Sequence, residues 1–220
     1  MINNKMCKFK NKLLASAAIV GMFCITAVVT NVNTEQTVQA SATIRVGKSN
    51  DCTLIYDPST KTLHIKDGDN GNTLGKTPLY RFIYKAKKHL SKKRLLKPTD
   101  VKHLSIDRDI SVSGSAKLLF AKLSNLQDII GTDKVDTKDV TTMKQMFYYD
   151  IKLKSLDLST WNTEYDYYFQ YYYQMFYNDR ALTNLNLDSF TLNDSDTKMF
   201  HGVNKDAIHG IKSELIKYNS

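Results

Sequence analysis

The segment from Asp67 to Thr77 comes closest to a motif with known chemistry, because acidic side chains and glycines lead into Gly75-Lys76-Thr77. A phosphate-binding loop of the form G-x-x-x-x-G-K-[ST] would need a glycine at position 70, where Asn70 stands. A calcium loop of the EF-hand type would need a glutamate at its twelfth position, which is Pro78. We therefore interpret the segment as a glycine-rich hairpin or loop and not as a nucleotide or calcium site.

The other residues that carry chemistry show no catalytic or metal-binding arrangement. The five histidines have no metal-ligand spacing such as H-E-x-x-H, and Cys52 has no neighbouring signal that would activate a thiol. No nucleophile and base can be paired from the sequence. These observations predict a protein that is not an enzyme and that binds no metal, cofactor or small-molecule substrate.

The N-terminus has the three parts of a secretory signal peptide. A start with four lysines precedes the apolar stretch from Leu13 to Val29, and a polar segment ends in the small residues Val38 and Ala40. We expect cleavage between Ala40 and Ser41, no membrane span after cleavage, and a secreted or loosely cell-surface-associated bacterial protein. The alternatives are an uncleaved helical anchor and lipidation at Cys24.

Positive charge is concentrated in one segment. The chain has a net charge of +9, and the stretch from Lys76 to Lys97 holds nine Lys or Arg and no acid. Interleaved with aromatic residues, these cations suit an anionic polymer, namely teichoic acid, a sulfated glycan or nucleic acid. The cations that we assign to this contact are Lys85, Lys87, Lys88, Lys92, Lys93 and Arg94. The alternative is a solvated helix face that binds nothing.

A pattern of apolar residues recurs four times between Val101 and Leu187. The rows are Val101-Leu104-Ile106, Leu126-Ile129-Gly131, Leu153-Leu156-Leu158 and Leu182-Leu185-Leu187, and their middle members are 25, 27 and 29 residues apart. A phenylalanine precedes each of the last three rows by six positions, and methionine–phenylalanine pairs recur in the same phase. Several features that repeat in phase indicate tandem structural units.

These rows predict stacked strands. The second and third apolar residues of a row are two apart, so both point to the interior of a strand array. We predict an α/β fold, a short leucine-rich-repeat solenoid of parallel strands with irregular or helical returns, preceded by a β-hairpin plus helix cap. The predicted divisions are a signal peptide at 1–40, an N-terminal hairpin and basic helix cap at 41–100, leucine-rich repeats at 101–205 and a C-terminal cap at 206–220.

Residues 135–163 read VDTKDVTTMKQMFYYDIKLKSLDLSTWNT. This unit resembles the BspA-type leucine-rich-repeat surface proteins of bacteria, whose units run approximately W-D-T-S-N-V-T-x-M-x-x-M-F and then L-x-x-L-D-L-S-x-W. The next unit departs from that pattern, because the span from Trp161 to Phe176 is three residues longer than the span from Val135 to Phe147 and is rich in tyrosine. The resemblance implies an exported or cell-surface protein that contacts other proteins, host matrix or neighbouring cells without catalysis.

Two groups of residues are predicted to form the contact surface for host or bacterial surface proteins or glycans. The first group holds outward strand positions, Ser155, Asp157, Asn184 and Asn186, and the second comes from the tyrosine run, Tyr167, Tyr168, Tyr171 and Tyr172. The polar residues can instead be solvated strand positions, with Asp157 and Asn186 supporting turns. The tyrosines can instead pack between the units.

Overall fold

The computed structural model describes residues 43–67, 71–86, 96–161, 171–192 and 198–218. The predicted signal peptide, with its cleavage site at Ala40 and Ser41, lies outside these ranges. So do residues 87–95 of the basic segment and residues 162–170 of the tyrosine run. No helix within the described ranges is long and apolar enough to span a membrane.

Strands make up most of the regular structure in these ranges. They are β1 (Ile44–Ser49), β2 (Cys52–Asp57), β3 (Thr62–Lys66), β4 (Thr73–Leu74), β5 (His103–Ile106), β6 (Ile110–Ser115), β7 (Asp128–Ile130), β8 (Val135–Thr142), β9 (Ser155–Asp157), β10 (Asn184–Asn186) and β11 (Ile208–His209). The helices are α1 (Leu79–Ala86) and α2 (Ser213–Tyr218), with single 3-10 turns at Pro98–Asp100, Thr132–Lys134 and Lys205–Ala207.

The strands form three small sheets. The first has the order β1-β2-β3-β5-β7, antiparallel from β1 to β3 and parallel from β3 to β7. The other two sheets, β4-β6-β8 and β9-β10-β11, are parallel. The predicted hairpin is confirmed, because β2 and β3 pair with Tyr56 opposite Leu63. The first sheet continues from this hairpin into β5 and so crosses the predicted division at residue 100.

The leucine-rich-repeat solenoid predicted from the sequence is wrong. The predicted array needs its rows on one parallel sheet, whereas the described strands divide into three sheets, one of which contains antiparallel pairs. The rows are neighbours only in part, with Leu104 opposite Ile129 in one sheet and Leu156 opposite Leu185 in another. The chain between the rows supplies β6 and β8, which form a sheet of their own with β4. The result is a mixed α/β fold dominated by small sheets.

In β5, β9 and β10 the inward and outward positions are as the sequence predicts, whereas in β7 Ile129 is only half-buried. In β5 the side chains of Leu104 and Ile106 are buried while His103 and Ser105 face outward. The middle residues of β9 and β10, Leu156 and Leu185, are likewise buried between more exposed neighbours. Period-two alternation fixes these faces regardless of how many sheets the strands form.

Four tight turns centred on phenylalanine fill another part of the core. We call them the phenylalanine turns, and they comprise residues 118–122, 145–149, 174–178 and 198–202. Their rings, from Phe120, Phe147, Phe176 and Phe200, are buried, and successive ring centroids lie 5.5, 5.5 and 6.1 Å apart. Backbone N–H groups of one turn donate to carbonyls of the next, as from Phe120 to Met146 and from Phe147 to Met175, both at 3.0 Å.

The two helices agree only partly with the sequence prediction. Helix α1 lies within the predicted N-terminal cap at 41–100, begins after Pro78 and is described as far as Ala86. Within the predicted C-terminal cap at 206–220, Ile208 belongs to β11 and lies opposite Leu185. Helix α2 begins only at Ser213.

Candidate functional site

The four strand residues predicted to contact a ligand come together on β9 and β10. Asn184 lies opposite Ser155, and Asn186 lies opposite Asp157. The amide Nδ2 of Asn184 donates to Ser155 Oγ at 3.4 Å. Ser155, Asp157 and Asn184 are exposed, and Asn186 is half-buried. The register of the two strands therefore forms this small polar face.

Two of these four residues are engaged in ending their strands. Asp157 Oδ1 accepts a hydrogen bond from the Ser159 N–H at 3.0 Å, and Asn186 Oδ1 accepts one from the Asp188 N–H at 3.1 Å. The hydrogen bonds from Ser159, together with one from Asn186, hold the pKa of Asp157 below its ordinary value. These contacts favour the turn-supporting role for Asp157 and Asn186, because a side-chain oxygen bound to the backbone two residues on is a turn device.

Two histidine–aspartate pairs lie on the outward face of the first sheet. His64 Nδ1 is 3.0 Å from Asp107 Oδ1, and His103 Nδ1 is 2.8 Å from Asp128 Oδ2. Partial burial raises the pKa of Asp107, but hydrogen bonds from His64 and Ser105 outweigh that effect, so its pKa lies below the ordinary value. Ser105 Oγ donates to Asp107 and not to a histidine, so the group lacks the nucleophile–base contact of a catalytic triad.

Two of the predicted tyrosines are buried, which corrects the sequence prediction for them. Tyr171 and Tyr172 are 1% and 0% exposed, so neither belongs to a surface that a ligand can reach. Tyr171 Oη donates to Val140 O at 2.9 Å, and the Tyr172 ring packs at 5.1 Å from the Phe190 ring. Tyr172 stands four residues before its turn phenylalanine, the position that the buried Met143 holds in the previous turn. Tyr167 and Tyr168 lie outside the described residues.

A different set of aromatic residues forms a line on the surface. We call it the aromatic stripe, and it consists of Tyr148, Tyr149, Tyr177 and His201. The Tyr148 and Tyr177 rings stack at 5.3 Å between centroids, and the Tyr177 and His201 rings stack at 4.6 Å. The Tyr149 ring lies 4.6 Å from Tyr148 and 6.0 Å from Tyr177. His201 is exposed, and Tyr149 retains 42% of its exposure.

The phenylalanine turns place these side chains in line. Each turn phenylalanine from the second turn onward is followed directly by one residue of the stripe, Tyr148, Tyr177 or His201. Because the phenylalanine rings of successive turns stack, the side chains that follow them stack as well. The sequence analysis missed this stripe. The position after each phenylalanine in the methionine–phenylalanine pairs is the signal that finds it, because all three of those positions are aromatic or histidine.

Backbone conformation is repeated in the turns as well. The residues two before and two after each phenylalanine have φ between 56° and 82°, the left-handed region. At the position two residues after the phenylalanine, the third and fourth turns have Asn178 and Gly202, residue types that tolerate this region. The second turn has Tyr149 at that position, with φ 65°. A residue with a bulky side chain is less stable in this conformation by about 1–2 kcal/mol. The chain thus holds an exposed tyrosine where asparagine or glycine would be more favourable.

The chemistry of the stripe is that of hydrogen-bonding aromatic edges. Partial burial, with a further contribution from the nearby Tyr149 and Tyr177 hydroxyls, raises the pKa of Tyr148, so its phenol stays protonated at neutral pH. Because Tyr177 has a ring stacked on each side, its two faces are covered and its edge and hydroxyl are what a partner can contact. Ile151, two residues after Tyr149, adds an exposed apolar side chain.

A buried row of carboxyls runs behind the stripe. The Leu123 N–H donates to Asp150 Oδ1 at 2.7 Å, and the Asp150 N–H donates to Asp179 Oδ1 at 2.7 Å. The Oδ2 atoms of both aspartates are buried and have no hydrogen-bond partner among the described residues. Burial raises the pKa of both carboxyls well above the ordinary value, and the neighbouring Asp179 raises that of Asp150 further. The row is part of the core and is out of reach of a ligand.

The described part of the basic segment is helix α1. Lys85 and Arg81 are exposed there, and Tyr84 is 50% exposed beside Tyr80, with ring centroids 6.3 Å apart. The other cations assigned to an anionic polymer, Lys87, Lys88, Lys92, Lys93 and Arg94, lie outside the described residues. Helix α1 alone thus presents a short mixed basic and aromatic surface.

The remaining candidates in the described ranges are the cysteine and the possible metal ligands. Burial, with contributions from Asp51 and Asp67, raises the pKa of the Cys52 thiol to about 11, so the thiol is not activated. No group of three or more His, Cys, Asp or Glu side chains in those ranges is placed to hold a metal ion.

A family model described as "Mycoplasma protein of unknown function, DUF285" matches residues 109–210. The match runs from just before β6 to just after β11, so it includes all four phenylalanine turns and the aromatic stripe. It covers less than half of the 220 residues and its description names no activity. No curated protein and no solved structure matches the chain.

Proposed function

We propose that this protein is an exported, non-catalytic contact protein that binds another protein through the aromatic stripe. The observation that carries the proposal is Tyr149, a 42% exposed tyrosine whose ring lies 4.6 Å from the Tyr148 ring in the aromatic stripe. The secretory pattern of residues 1–40 supports a location where the partner is on a cell surface or in the surrounding matrix.

The stacking within the stripe favours a protein over a glycan as its partner. A sugar ring binds an aromatic residue by lying against the ring face, and Tyr177 has both faces covered by Tyr148 and His201. Phenol edges, hydroxyls and an exposed apolar residue such as Ile151 are the groups that protein interfaces use. Tyrosine is also among the residues that dominate binding energy at such interfaces.

The test compares binding of purified protein to immobilised extracellular-matrix proteins, by surface plasmon resonance, with and without Tyr149→Asn. Asparagine suits the left-handed conformation, so the fold is retained while the exposed ring is lost. We expect binding to weaken about ten-fold or more, the loss typical of a central interface tyrosine.

The matched control is Asn184→Ser on the exposed face of β10, which removes a polar side chain of the originally predicted surface. It should bind like the unaltered protein, and circular dichroism should show both variants folded. Equal losses in the two variants, or unchanged binding of Tyr149→Asn, would contradict the role of the stripe.

A second candidate function is binding of an anionic polymer through the basic segment. It is favoured by the exposed cations Arg81 and Lys85 and the exposed Tyr84 ring on helix α1. Binding to teichoic acid or heparin that depends on these charges should weaken steeply as salt rises, whereas binding through the stripe should change little. Salt-independent polymer binding would reject this candidate.

A further inference from the structure

A polar cavity of about 350 Å³ lies between the β1–β2 turn, the segment after β4, helix α1 and strand β6. Side chains with hydroxyl or amide groups dominate its wall, together with one lysine and one aromatic ring: Ser49, Asn50, Thr77, Ser113, Lys76 and Phe82. No aspartate or glutamate belongs to the described lining. Its volume is in the range of small-molecule sites, which combine a few placed polar groups with an apolar wall.

The lysine side chain passes over a glycine on the neighbouring strand β6. The side chain of Lys76 crosses Gly114, where a Cβ atom would lie 2.7 Å from the lysine Cε and 2.8 Å from its Nζ. Gly114 therefore leaves room for the end of the lysine side chain. Lys76 makes no ion pair or hydrogen bond with the described residues, so its ammonium is a cation without a local partner beside Ser113.

The serine at the end of β1, Ser49, also lines the cavity. Ser49 is 1% exposed, and its Oγ has no hydrogen-bond partner among the described residues. Gly75 leaves space next to it, because a Cβ at position 75 would lie 3.3 Å from Ser49 Oγ. A buried hydroxyl without a partner is unfavourable, and a ligand oxygen in the cavity would supply the missing hydrogen bond.

We propose that this cavity binds one acidic monosaccharide unit, a sugar ring that carries a carboxylate or a phosphate. The Lys76 ammonium pairs with the acidic group, and Ser49 with the other hydroxyl and amide side chains binds the ring hydroxyls. The Phe82 ring forms the apolar wall against which a sugar face packs. The site shares no residue with the aromatic stripe and goes beyond the proposed function.

The test is isothermal titration calorimetry of the purified protein with four probes at one ionic strength. Glucuronic acid and glucose 6-phosphate represent the two sources of the acid, and glucose and inorganic phosphate are the matching halves. We expect one or both acidic sugars to bind more tightly than either half, and the tighter of the two identifies the acid. Lys76→Met should weaken that binding about ten-fold or more, since it removes a hydrogen bond to a charged group.

Two further variants keep the result interpretable. Lys205→Met removes an exposed cation from the 3-10 turn Lys205–Ala207, which is not part of the cavity lining, and should leave binding unchanged. Ser49→Ala should weaken binding several-fold without lowering the urea midpoint of unfolding, because the hydroxyl has no partner to lose. The proposal is overturned if neither acidic sugar binds, if either half binds as tightly as the acidic sugars, or if Lys205→Met weakens binding as much as Lys76→Met.

Discussion

The buried carboxyl row makes stability depend on pH in a direction that few proteins show. Asp150 and Asp179 have raised pKa values, so the folded protein holds protons that the unfolded chain has released. Their stabilising contribution is fully present below the unfolded aspartate pKa of about 3.9 and is lost as pH rises through the folded pKa values. From about pH 4 upward, the free energy of unfolding should therefore fall toward neutral pH.

Linkage sets the size of this effect. Each extra proton held by the folded protein lowers the free energy of unfolding by about 1.4 kcal/mol for every pH unit. Replacing Asp179 by asparagine keeps the Oδ1 that accepts the Asp150 N–H but removes one titrating group and its charge next to Asp150. In Asp179→Asn, the slope of the free energy of unfolding against pH should become less steep by at least the contribution of one proton. In Asp150→Asn/Asp179→Asn, the whole contribution of the carboxyl row to that slope should disappear. The slope is the readout, because a buried amide also changes absolute stability.

Urea unfolding from pH 4 to 8, followed by tryptophan fluorescence, measures the slope. Trp161 is the single tryptophan of the chain and is buried, with its Nε1 donating to Thr132 O at 2.9 Å. Asp157→Asn is the matched control, because the pKa of Asp157 is lowered and its titration falls below the measured window. Parallel pH profiles for the unaltered protein and the double variant would refute the reasoning, since the carboxyls would then ionise equally in both states.

Three further predictions concern other features of the fold. Lys198 is left-handed at φ 59°, so Lys198→Gly should raise the free energy of unfolding by up to about 1 kcal/mol. The backbone at Lys152 is not left-handed, so Lys152→Gly should lower the free energy of unfolding. Chemical denaturation of the two variants measures both changes. Phe147→Ala should cost about 3–5 kcal/mol in urea unfolding because the Phe147 ring is fully buried between two stacked neighbours, and a loss below 1 kcal/mol would contradict that packing. Cys52 should resist Ellman's reagent at pH 8 until urea unfolds the protein, because it is buried and has a pKa of about 11; rapid labelling of the folded protein would show that the thiol is accessible.

The strand faces could be predicted from the sequence, but the division into sheets could not. The spacing of Leu104 and Ile106, or of Leu156 within its row, determines which side chains point inward. Period-two spacing carries no information on which strand pairs with which, and β7 and β9 are only three residues long. Strands β6 and β8 of the sheet β4-β6-β8 come from chain between the rows, where the sequence analysis assigned no strand.

The sequence prediction of a contact surface is wrong at two tyrosines, Tyr171 and Tyr172. The tyrosine run drew attention to Tyr171 and Tyr172 because of its density, but their distance from Phe176 places both in the core. Aligning the units on the turn phenylalanines would have shown Tyr172 at the position of the buried Met143. Amino-acid type alone does not distinguish a buried tyrosine from an exposed one, since a buried phenol needs only one partner, as Tyr171 finds in Val140 O.

The cavity near Ser49 had a partial signal in the sequence. Gly75-Lys76-Thr77 resembles the end of a phosphate loop, and its spacing excludes that motif. What brings Lys76 and Ser49 to one cavity is the pairing around β4, where Asn50 bridges to Leu74 and β4 pairs with β6. Such contacts join residues more than 20 positions apart, which local sequence patterns do not reveal.

The buried carboxyl row also determines where the chain could be lengthened by a further unit. Asp150 accepts a hydrogen bond from the backbone of the turn before it, and Asp179 accepts one from the Asp150 N–H. The equivalent residue of the last turn is Val203, which has no carboxyl. A tandem duplication of residues 150–178 would add a second aspartate equivalent to Asp150. Its carboxyl would accept the hydrogen bond from the backbone N–H of the preceding copy, so the added unit would leave no such N–H without an acceptor. A copy of the Val203 turn would leave its predecessor's amide without that acceptor. Gene-level lengthening of this protein should therefore occur in the interior and not at its terminal turn.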